Sequence, residues 1–255
     1  MRLKITFNGT GTSQGVPVIS CSCIVCKSSD YRDQRLRSSI LIEDLFTSVC
    51  IDTGPDFRQQ MLRVQQKKLD AIVLTHEHKD HIAGLDDVRA YNFFSGKAMP
   101  VYADQRVHLA LQREFAYVFE SRDYPGLPRL QLMPITGNEF QINTLKFKPL
   151  QVFHAHLPVW GFRISDFVYI TDANHIPETT WSDLTDVKIL VINALRHETH
   201  NSHFTLHEAL HIIKRMNPKY TYLTHISHQL GTHASLLNQL PENVEPAVDG
   251  MQLLL

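Results

Sequence analysis

The sequence predicts a mixed α/β (α+β) protein in which two packed sheets are flanked by helices, a four-layer αββα arrangement. Two observations predict this fold class. Short apolar runs bounded by turn residues occur in both halves of the chain, and helical segments follow them in each half. Hairpin-like strands at the start argue against a doubly wound Rossmann sheet. The sequence contains no linker, low-complexity segment or coiled-coil repeat, so we expect one domain over residues 1–255.

The first half begins with a predicted strand at residues 2–8, followed by the glycine-rich turn GTGTSQG. Two apolar runs at 38–44 and 48–52 predict a hairpin, and RQQMLRVQQ suits a helix. The run LDAIVLT at 69–75 is typical of a buried strand that ends in a polar loop. We expect a helix to begin near Asp80. The remaining predictions for this half are a strand over MPVYAD, an amphipathic helix over VHLALQREFAYVFE and a loop over SRDYPGLPRL.

The second half repeats the strand-rich pattern. Strands are predicted over LQLMPI, TLKFKPLQVF, VWGFRISD, FVYITDA, KILVINAL and KYTYLTH. Helices are predicted over LHEALHIIKRMN and HASLLNQL, and a strand ends the chain.

Composition and charge narrow the class of protein. The hydrophobic fraction of 43% and charged fraction of 20% are those of an ordinary globular protein. A net charge of −1 offers no overall basic field for nucleic acid or membrane binding. The first residues lack the apolar region of a signal peptide, and no apolar run could span a bilayer. We therefore expect a cytoplasmic protein whose four cysteines do not form a disulfide framework.

The segment THEHKDH places four potential metal ligands within six residues, directly after a predicted buried strand. These ligands are His76, His78, Asp80 and His81. Imidazoles suit zinc, manganese and iron, while a carboxylate tolerates harder metals. A solvated polar loop is the structural alternative, but the HxHxDH spacing after a strand favours a metal site. The sequence therefore predicts a metal-dependent hydrolase with a two-metal centre.

Further candidate ligands stand at the ends of other predicted strands. Asp172 follows FVYIT, His225 follows KYTYLT, and His154 follows LKFKPLQVF. Each alone is typical of a surface or capping residue, but several together predict a shared site at one sheet edge. Asp52 also follows a strand. It is equally well interpreted as a partner that orients a ligand histidine or as a plain turn residue before Gly54.

These motifs resemble the metallo-β-lactamase superfamily. THEHKDH matches its HxHxDH motif, Asp52 with the following Thr-Gly matches its early turn, and Asp172 matches its bridging aspartate. The resemblance covers nearly the whole chain. It implies the αββα fold and a hydroxide that bridges two divalent metals, zinc or manganese. It further implies that His76, His78 and His154 bind one metal, that Asp80, His81 and His225 bind the other, and that Asp172 binds both.

A narrower resemblance is to the phosphoribosyl 1,2-cyclic phosphate phosphodiesterases of phosphonate breakdown. It is carried by GTGTSQGVP at 9–17, CSCIVC at 21–26, GLDDVR at 84–89 and THISH at 224–228. The resemblance implies a structural zinc near residues 20–27, held by Cys21, Cys23, Cys26 and His228. Three thiolates and one imidazole suit a closed tetrahedral zinc site. Three incidental reduced thiols are the alternative, and Cys50 is interpreted as core packing.

The remaining histidines leave two assignments open. Either His154 or His156 could be the strand-end ligand, and the family spacing favours His154. His197, His200 and His203 compete for the family's catalytic histidine. We expect His203 to fill that role, since it is predicted to open the helix before the His225 strand.

The resemblance implies hydrolysis of a small phosphodiester, with ribosyl cyclic phosphates as the expected class. Asp80 would orient the attacking hydroxide, and His203 would protonate the leaving oxygen or stabilise its charge. Arg35, Arg37 or Arg89 could neutralise a second phosphate. The alternatives are a ribonuclease-Z-like nuclease acting on tRNA, a thioesterase of the glyoxalase II type, and a non-catalytic binding module stabilised by metals. A homodimer is the common default for such a protein.

Overall fold

The structure is a computed structural model that describes residues 2–120 and 126–255. Two seven-stranded sheets form its centre, and their strands are numbered here in chain order. The first sheet contains β1 (Lys4–Gly9), β2 (Ser39–Glu43), β3 (Ser48–Ile51), β4 (Ala71–Val73), β5 (Met99–Ala103), β6 (Leu130–Pro134) and β14 (Gln252–Leu254). Its order is β14-β1-β2-β3-β4-β5-β6. The strands pair antiparallel from β14 to β3 and parallel from β3 to β6.

The second sheet has a similar organisation. It contains β7 (Phe140–Ile142), β8 (Leu145–His154), β9 (Leu157–Ile164), β10 (Phe167–Ile170), β11 (Ile189–Asn193), β12 (Tyr220–Thr224) and β13 (Val244–Pro246). The order is β13-β12-β11-β10-β9-β8-β7. Pairing is antiparallel from β7 to β10 and parallel from β10 to β13. In both sheets the parallel strands bring their carboxyl ends to a common edge.

Helices cover the outer faces of the two sheets. They are α1 (Phe57–Arg63), α2 (Lys79–Ile82), α3 (Arg89–Ser95), α4 (Gln105–Glu114), α5 (Ala116–Glu120), α6 (Glu178–Trp181), α7 (Leu206–Met216) and α8 (His233–Leu237). Single 3₁₀ turns occur at Tyr31–Asp33, Leu85–Val88, Ser182–Leu184 and His228–Leu230. Thr205 begins α7 with a capping box to Glu208. The longest helix in the described ranges, α7, has 11 residues, so none of the described helices could cross a membrane.

Three apolar clusters hold the layers together. The first lies between the sheets, where Phe7 and Ile51 of one sheet pack with Phe162 and Val191 of the other. The second joins the first sheet to α1 and α4, and the third joins the second sheet to α7 and α8. Burial of each such side chain stabilises the fold by about 1.5–3 kcal/mol. This layering confirms the predicted αββα arrangement.

Most predicted elements are present, with differences at helix boundaries. The hairpin of β2 and β3 is antiparallel, as predicted. The helix expected near Asp80 begins one residue earlier and ends at Ile82, so DHIAGLDDVRAYNFF is not one helix. Gly84 lies just after this helix, where it packs so closely against the loop after β3 that a Cβ would lie 2.1 Å from the Gly54 carbonyl oxygen. The amphipathic segment 107–120 likewise divides at Phe115 into α4 and α5.

Two further differences concern the loops. The strands β7 and β13 and the helix α6 were not predicted from the sequence. Of the loop predicted over SRDYPGLPRL, residues 121–125 lie outside the described residues, and the last position belongs to β6.

Candidate metal centre

The candidate metal centre lies where strands of both sheets end. Asp52 follows β3, Asp172 follows β10 and His225 follows β12. All three have left-handed backbone, with φ of 63°, 55° and 55°. A residue in this conformation stops the extended strand and turns the chain. Its side chain is thereby held at the sheet edge, where ligands of open α/β sheets bind.

Asp172 is the centre of the cluster. His225 Nδ1 lies 2.9 Å from its Oδ1, while His81 Nε2 and His203 Nε2 lie 3.3 and 3.4 Å from its Oδ2. His76 Nε2 is 3.9 Å from the same oxygen. The side chain of Asp172 is only 2% exposed. Burial opposes its ionisation, but the positive charges of His225 and His81 hold the pKa of Asp172 well below its ordinary value.

Asp52 fixes the orientation of His81. Its carboxylate accepts hydrogen bonds from the Thr75 backbone N–H at 2.9 Å, from the Thr75 hydroxyl at 2.9 Å, and from His81 Nδ1 at 2.7 Å. His81 Nε2 therefore faces the centre of the cluster, 3.2 Å from Asp80 Oδ2. Although the carboxylates of Asp80 and Asp172 lie this close, the angles leave this buried nitrogen without a hydrogen bond within the described part of the chain. An unpartnered imidazole nitrogen between two carboxylates fits a metal cation.

The other candidate ligands of THEHKDH contact one another. His76 Nε2 lies 3.0 Å from His78 Nδ1, and the rings of His76 and His81 are 4.2 Å apart. Burial and the charge of His81 hold the pKa of His76 well below its ordinary value, so the ring is neutral and able to bind a metal. His78 is exposed and lies 5.0 Å, ring to ring, from His154. His154 places its Nδ1 3.1 Å from the Asp172 carbonyl oxygen.

Three groups in this cluster have donor atoms that all lie within 4.8 Å of one another. They are His76–His81–Asp172, His154–Asp172–His203 and Asp80–Asp172–His225. Asp172 belongs to each group, as its expected bridging position requires. These groups are not the two sets of three implied by the resemblance, since His78 is absent and His203 is included. The division of ligands between two ions therefore remains a proposal.

His203 lies in the cluster, but its backbone differs from the prediction. The following helix, α7, begins at Leu206 after the cap Thr205, so His203 does not open it. Its Nδ1 lies 3.1 Å from both Ser202 Oγ and His200 Nδ1. Burial lowers the pKa of His203 to about 4.

The histidines whose roles the sequence left undecided lie in different surroundings in the structure. His200 is half-buried beside His203, whereas His156 and His197 are exposed. His197 Nε2 instead contacts the Leu230 carbonyl oxygen at 3.2 Å. Neither His156 nor His197 belongs to a metal-binding group among the described residues.

The candidate structural zinc site is a separate cluster. Its three sulfur atoms, from Cys21, Cys23 and Cys26, lie 3.3, 3.4 and 3.5 Å from His228 Nδ1. A hydrogen bond from the Cys26 backbone N–H lowers the pKa of Cys23 to about 6, and burial raises that of Cys26 to about 11. Three sulfur atoms and one imidazole nitrogen, all within 4.8 Å of one another, fit the ligand set of a tetrahedral zinc ion. Cys50 is fully buried in the first sheet, as expected of a core residue.

The three arginines considered for phosphate binding all have protein partners. Arg35 is only 4% exposed and donates to Thr10 Oγ1 and the Ala247 carbonyl. Because it is buried and engaged, it does not face a substrate, and its suggested role in neutralising a second phosphate is wrong. Burial lowers its pKa to about 10. Arg37 pairs with Asp56 at 3.0 Å, and Arg89 pairs with Asp86.

Several supporting contacts were not predicted from the sequence. Arg106 of α4 donates to Glu77, inside THEHKDH, and to the Pro158 carbonyl of β9. It thereby joins the loop of His76 to the hairpin of His154. Thr12 Oγ1 and Ser38 Oγ lie 3.4 and 3.3 Å from the His225 ring nitrogens. The glycine-rich turn around Thr12 was the one sequence signal for these contacts.

Comparison with known proteins places this geometry in context. Residues 47–226 match the model of the β-lactamase superfamily domain. The crystal structure of a diphosphatase from the PhnP family superposes with a TM-score of 0.94 and 40% identity, covering 100% of this chain and 98% of that one. A Porphyromonas gingivalis protein named octanoyltransferase is 37% identical over 250 residues, which are 97% of this chain and 50% of that protein. The chain thus spans half the length of that relative. A ribonuclease Z of Pyrobaculum calidifontis is 24% identical, over 88% of this chain and 87% of that one.

Proposed function

Because the chain belongs to the β-lactamase superfamily and is a metallohydrolase of that fold, we propose that it is a phosphodiesterase with two divalent metals. The proposed substrate is a small, ribosyl cyclic phosphodiester. One observation carries the proposal: five of the other candidate ligands share a group of close donor atoms with Asp172 at the common edge of both sheets, and His78 lies beside His76 and His154. The buried His203 lies beside these ligands, and a binding module that held metals only for its structure would not need that histidine.

The donor set fits divalent cations. His76, His78 and His154 would hold one ion, and Asp80, His81 and His225 the other, with Asp172 on both. Histidine nitrogens with two carboxylates suit zinc or manganese. Asp52 holds the Nδ1 of His81, and the Asp172 carbonyl contacts the Nδ1 of His154. The Nε2 atoms of both histidines are therefore left free to face the cluster.

Catalysis would combine the metals with residues of the cleft. When bound, the two ions supply a water of lowered pKa and neutralise charge on the phosphoryl oxygens. Asp80 would orient the attacking oxygen. His203 would stabilise charge on the leaving oxygen from Nε2, since Ser202 and His200 occupy its Nδ1 side.

The choice of a small substrate rests on the relatives and on charge. The PhnP-family diphosphatase and the ribonuclease Z relatives carry names of enzymes that break bonds between phosphorus and oxygen. The chain has a net charge of −1, and Arg35, Arg37 and Arg89 are engaged by protein groups. Without a basic surface from these arginines, a small phosphodiester or diphosphate is favoured over tRNA.

A panel of substrates tests the proposal. Purified protein with measured metal content is assayed against a ribosyl 1,2-cyclic phosphate, bis(4-nitrophenyl) phosphate, a nucleoside diphosphate, precursor tRNA and a glutathione thioester. We expect the cyclic phosphate to be hydrolysed with the highest kcat/KM. Preferred cleavage of the tRNA would favour the nuclease, and preferred cleavage of the thioester would favour the glyoxalase II type. Metal binding without turnover of any substrate would favour the binding module.

Two variants separate chemistry from metal binding. His203→Ala is expected to lower kcat by about 10²–10⁴-fold while the metal content stays unchanged. The control is His207→Ala, which changes an exposed histidine on α7. Equal activity of His203→Ala and the control would remove His203 from the mechanism.

A further inference from the structure

Two residues of the proposed site, His154 and His203, lie where regular secondary structure ends or is absent. His154 ends β8, and Ala155 then turns the chain with a φ of 56°. His203 lies in the segment between β11 and α7, which has no regular secondary structure. The two rings nevertheless meet edge to face, with centroids 4.5 Å apart. The turn at Ala155 and the segment of His203 are the two loops beside these rings, and contacts to both loops help to set the relative position of the rings.

Asn174 makes such a contact with both loops. Its side-chain oxygen accepts the N–H of Ala155 at 2.9 Å, and its side-chain nitrogen donates to the carbonyl of Asn201 at 2.8 Å. One partner is a backbone donor and the other a backbone acceptor, so the orientation of the amide is fixed. A single side chain thus joins the residue after His154 to a residue two positions before His203.

The backbone around Asn174 is itself fixed to the site. Its N–H donates to the Phe153 carbonyl at 2.8 Å, and the neighbouring Ala173 carbonyl accepts the Phe204 N–H at 2.7 Å. Asp172, the centre of the cluster, lies two residues earlier in the chain. The Asn174 amide therefore links both loops to the segment that carries Asp172.

We propose that Asn174 is a positioning residue that sets His154 against His203 beside Asp172. The inference rests on the proposed function of those side chains. The contacts require an amide. Aspartate retains the acceptor for Ala155 but presents oxygen to the Asn201 carbonyl, so it disrupts the His203 side selectively. Alanine removes both contacts, so the two replacements distinguish the two loops.

A double-mutant cycle tests the connection to His203. Values of kcat and KM are measured for Asn174→Asp alone and combined with His203→Ala, on the phosphodiester that the native protein hydrolyses fastest. We expect Asn174→Asp to lower kcat about tenfold or more with little change in KM, since the leaving-group residue is misplaced. In the His203→Ala background we expect no further loss, because the positioned group is absent. An unchanged kcat, or equal losses in both backgrounds, would overturn the proposal.

Hydrogen exchange tests the same residue without activity or metals. In the metal-free protein, Asn174→Asp should raise backbone exchange in residues 196–205 only, and Asn174→Ala in both 196–205 and 150–158. The control is Asn243→Ala, which removes a similar side-chain hydrogen bond to the Pro218 carbonyl. Pro218 precedes β12, at the end of that strand opposite to His225. Unchanged exchange of 196–205 in Asn174→Asp refutes the positioning role, whether or not the protein is active. The expected exchange pattern in an inactive native protein would instead contradict the proposed function alone.

Discussion

Replacement of Asp52 by asparagine tests how the fold prepares His81 for a metal. The native carboxylate has no exposed surface and accepts from the Thr75 N–H, the Thr75 hydroxyl and His81 Nδ1. Asparagine has nearly the same shape. Its amide oxygen can still accept the Thr75 N–H, but its NH₂ group then faces His81 Nδ1, which must become an acceptor. The ring proton moves to Nε2, the atom that would bind the metal.

The size of the effect follows from this change of tautomer. Loss of the partner that orients a ligand histidine typically weakens metal binding by about 10–100-fold. Since each tenfold change in affinity is about 1.4 kcal/mol, the cost is about 1.4–2.8 kcal/mol. We expect weaker binding of only one of the two proposed ions, because Asp52 contacts His81 and none of the other candidate ligands among the described residues.

Competition with a chelator of known affinity measures this loss, and elemental analysis gives the metal content per chain. The matched control is Asp70→Asn. Asp70 precedes β4, the strand that leads to Thr75 and His76, and accepts the Ser48 N–H at 2.9 Å at the end of that strand far from the cluster. We expect the control to retain native affinity. Unchanged affinity in Asp52→Asn, or the same loss in Asp70→Asn, would refute the orienting role of Asp52.

Three further predictions concern the metals and the core. Cys23→Ser should cost about one metal ion per chain and lower the Tm, whereas Cys50→Ala should retain that metal; elemental analysis and thermal unfolding check both. Mild chelation of the native protein should abolish hydrolysis while about one ion per chain remains, and full activity after chelation would contradict a metal mechanism. Ile170→Ala, in the fully buried strand before Asp172, should lower the free energy of unfolding by about 2–5 kcal/mol in urea titrations. A loss under about 1 kcal/mol would show that this site repacks.

Local features of the sequence were sufficient to predict the centre of the site. THEHKDH follows a run of buried residues, so its histidines had to emerge together at the end of one strand. Asp172 and His225 were predicted by the same reasoning, since parallel strands bring their carboxyl ends to one edge. The αββα class followed from the pattern of strands and helices in the same way.

Contacts between distant loops could not be predicted in this way. Thr12 and Ser38 belong to loops of the first sheet, yet they approach His225, which follows a strand of the second sheet. Asn174 likewise joins Ala155 to Asn201. Apart from the glycine-rich turn around Thr12, no sequence signal marks these residues, because their positions depend on how separate loops pack. The burial of Arg35 was missed for the same reason. Its partner carbonyl, at Ala247, lies 212 residues away along the chain.

The strand-end residues connect the fold to the proposed chemistry. Asp52, Asp172 and His225 have positive φ, a conformation that costs roughly 1–3 kcal/mol at a non-glycine residue. Glycine would relieve this strain but would remove the side chain that the cluster requires. The strain is sustained because each residue follows a strand whose side chains are largely buried between packed layers. The rigid sheets thus hold ligand side chains in place before any metal binds, which is the preorganisation that a metal centre needs.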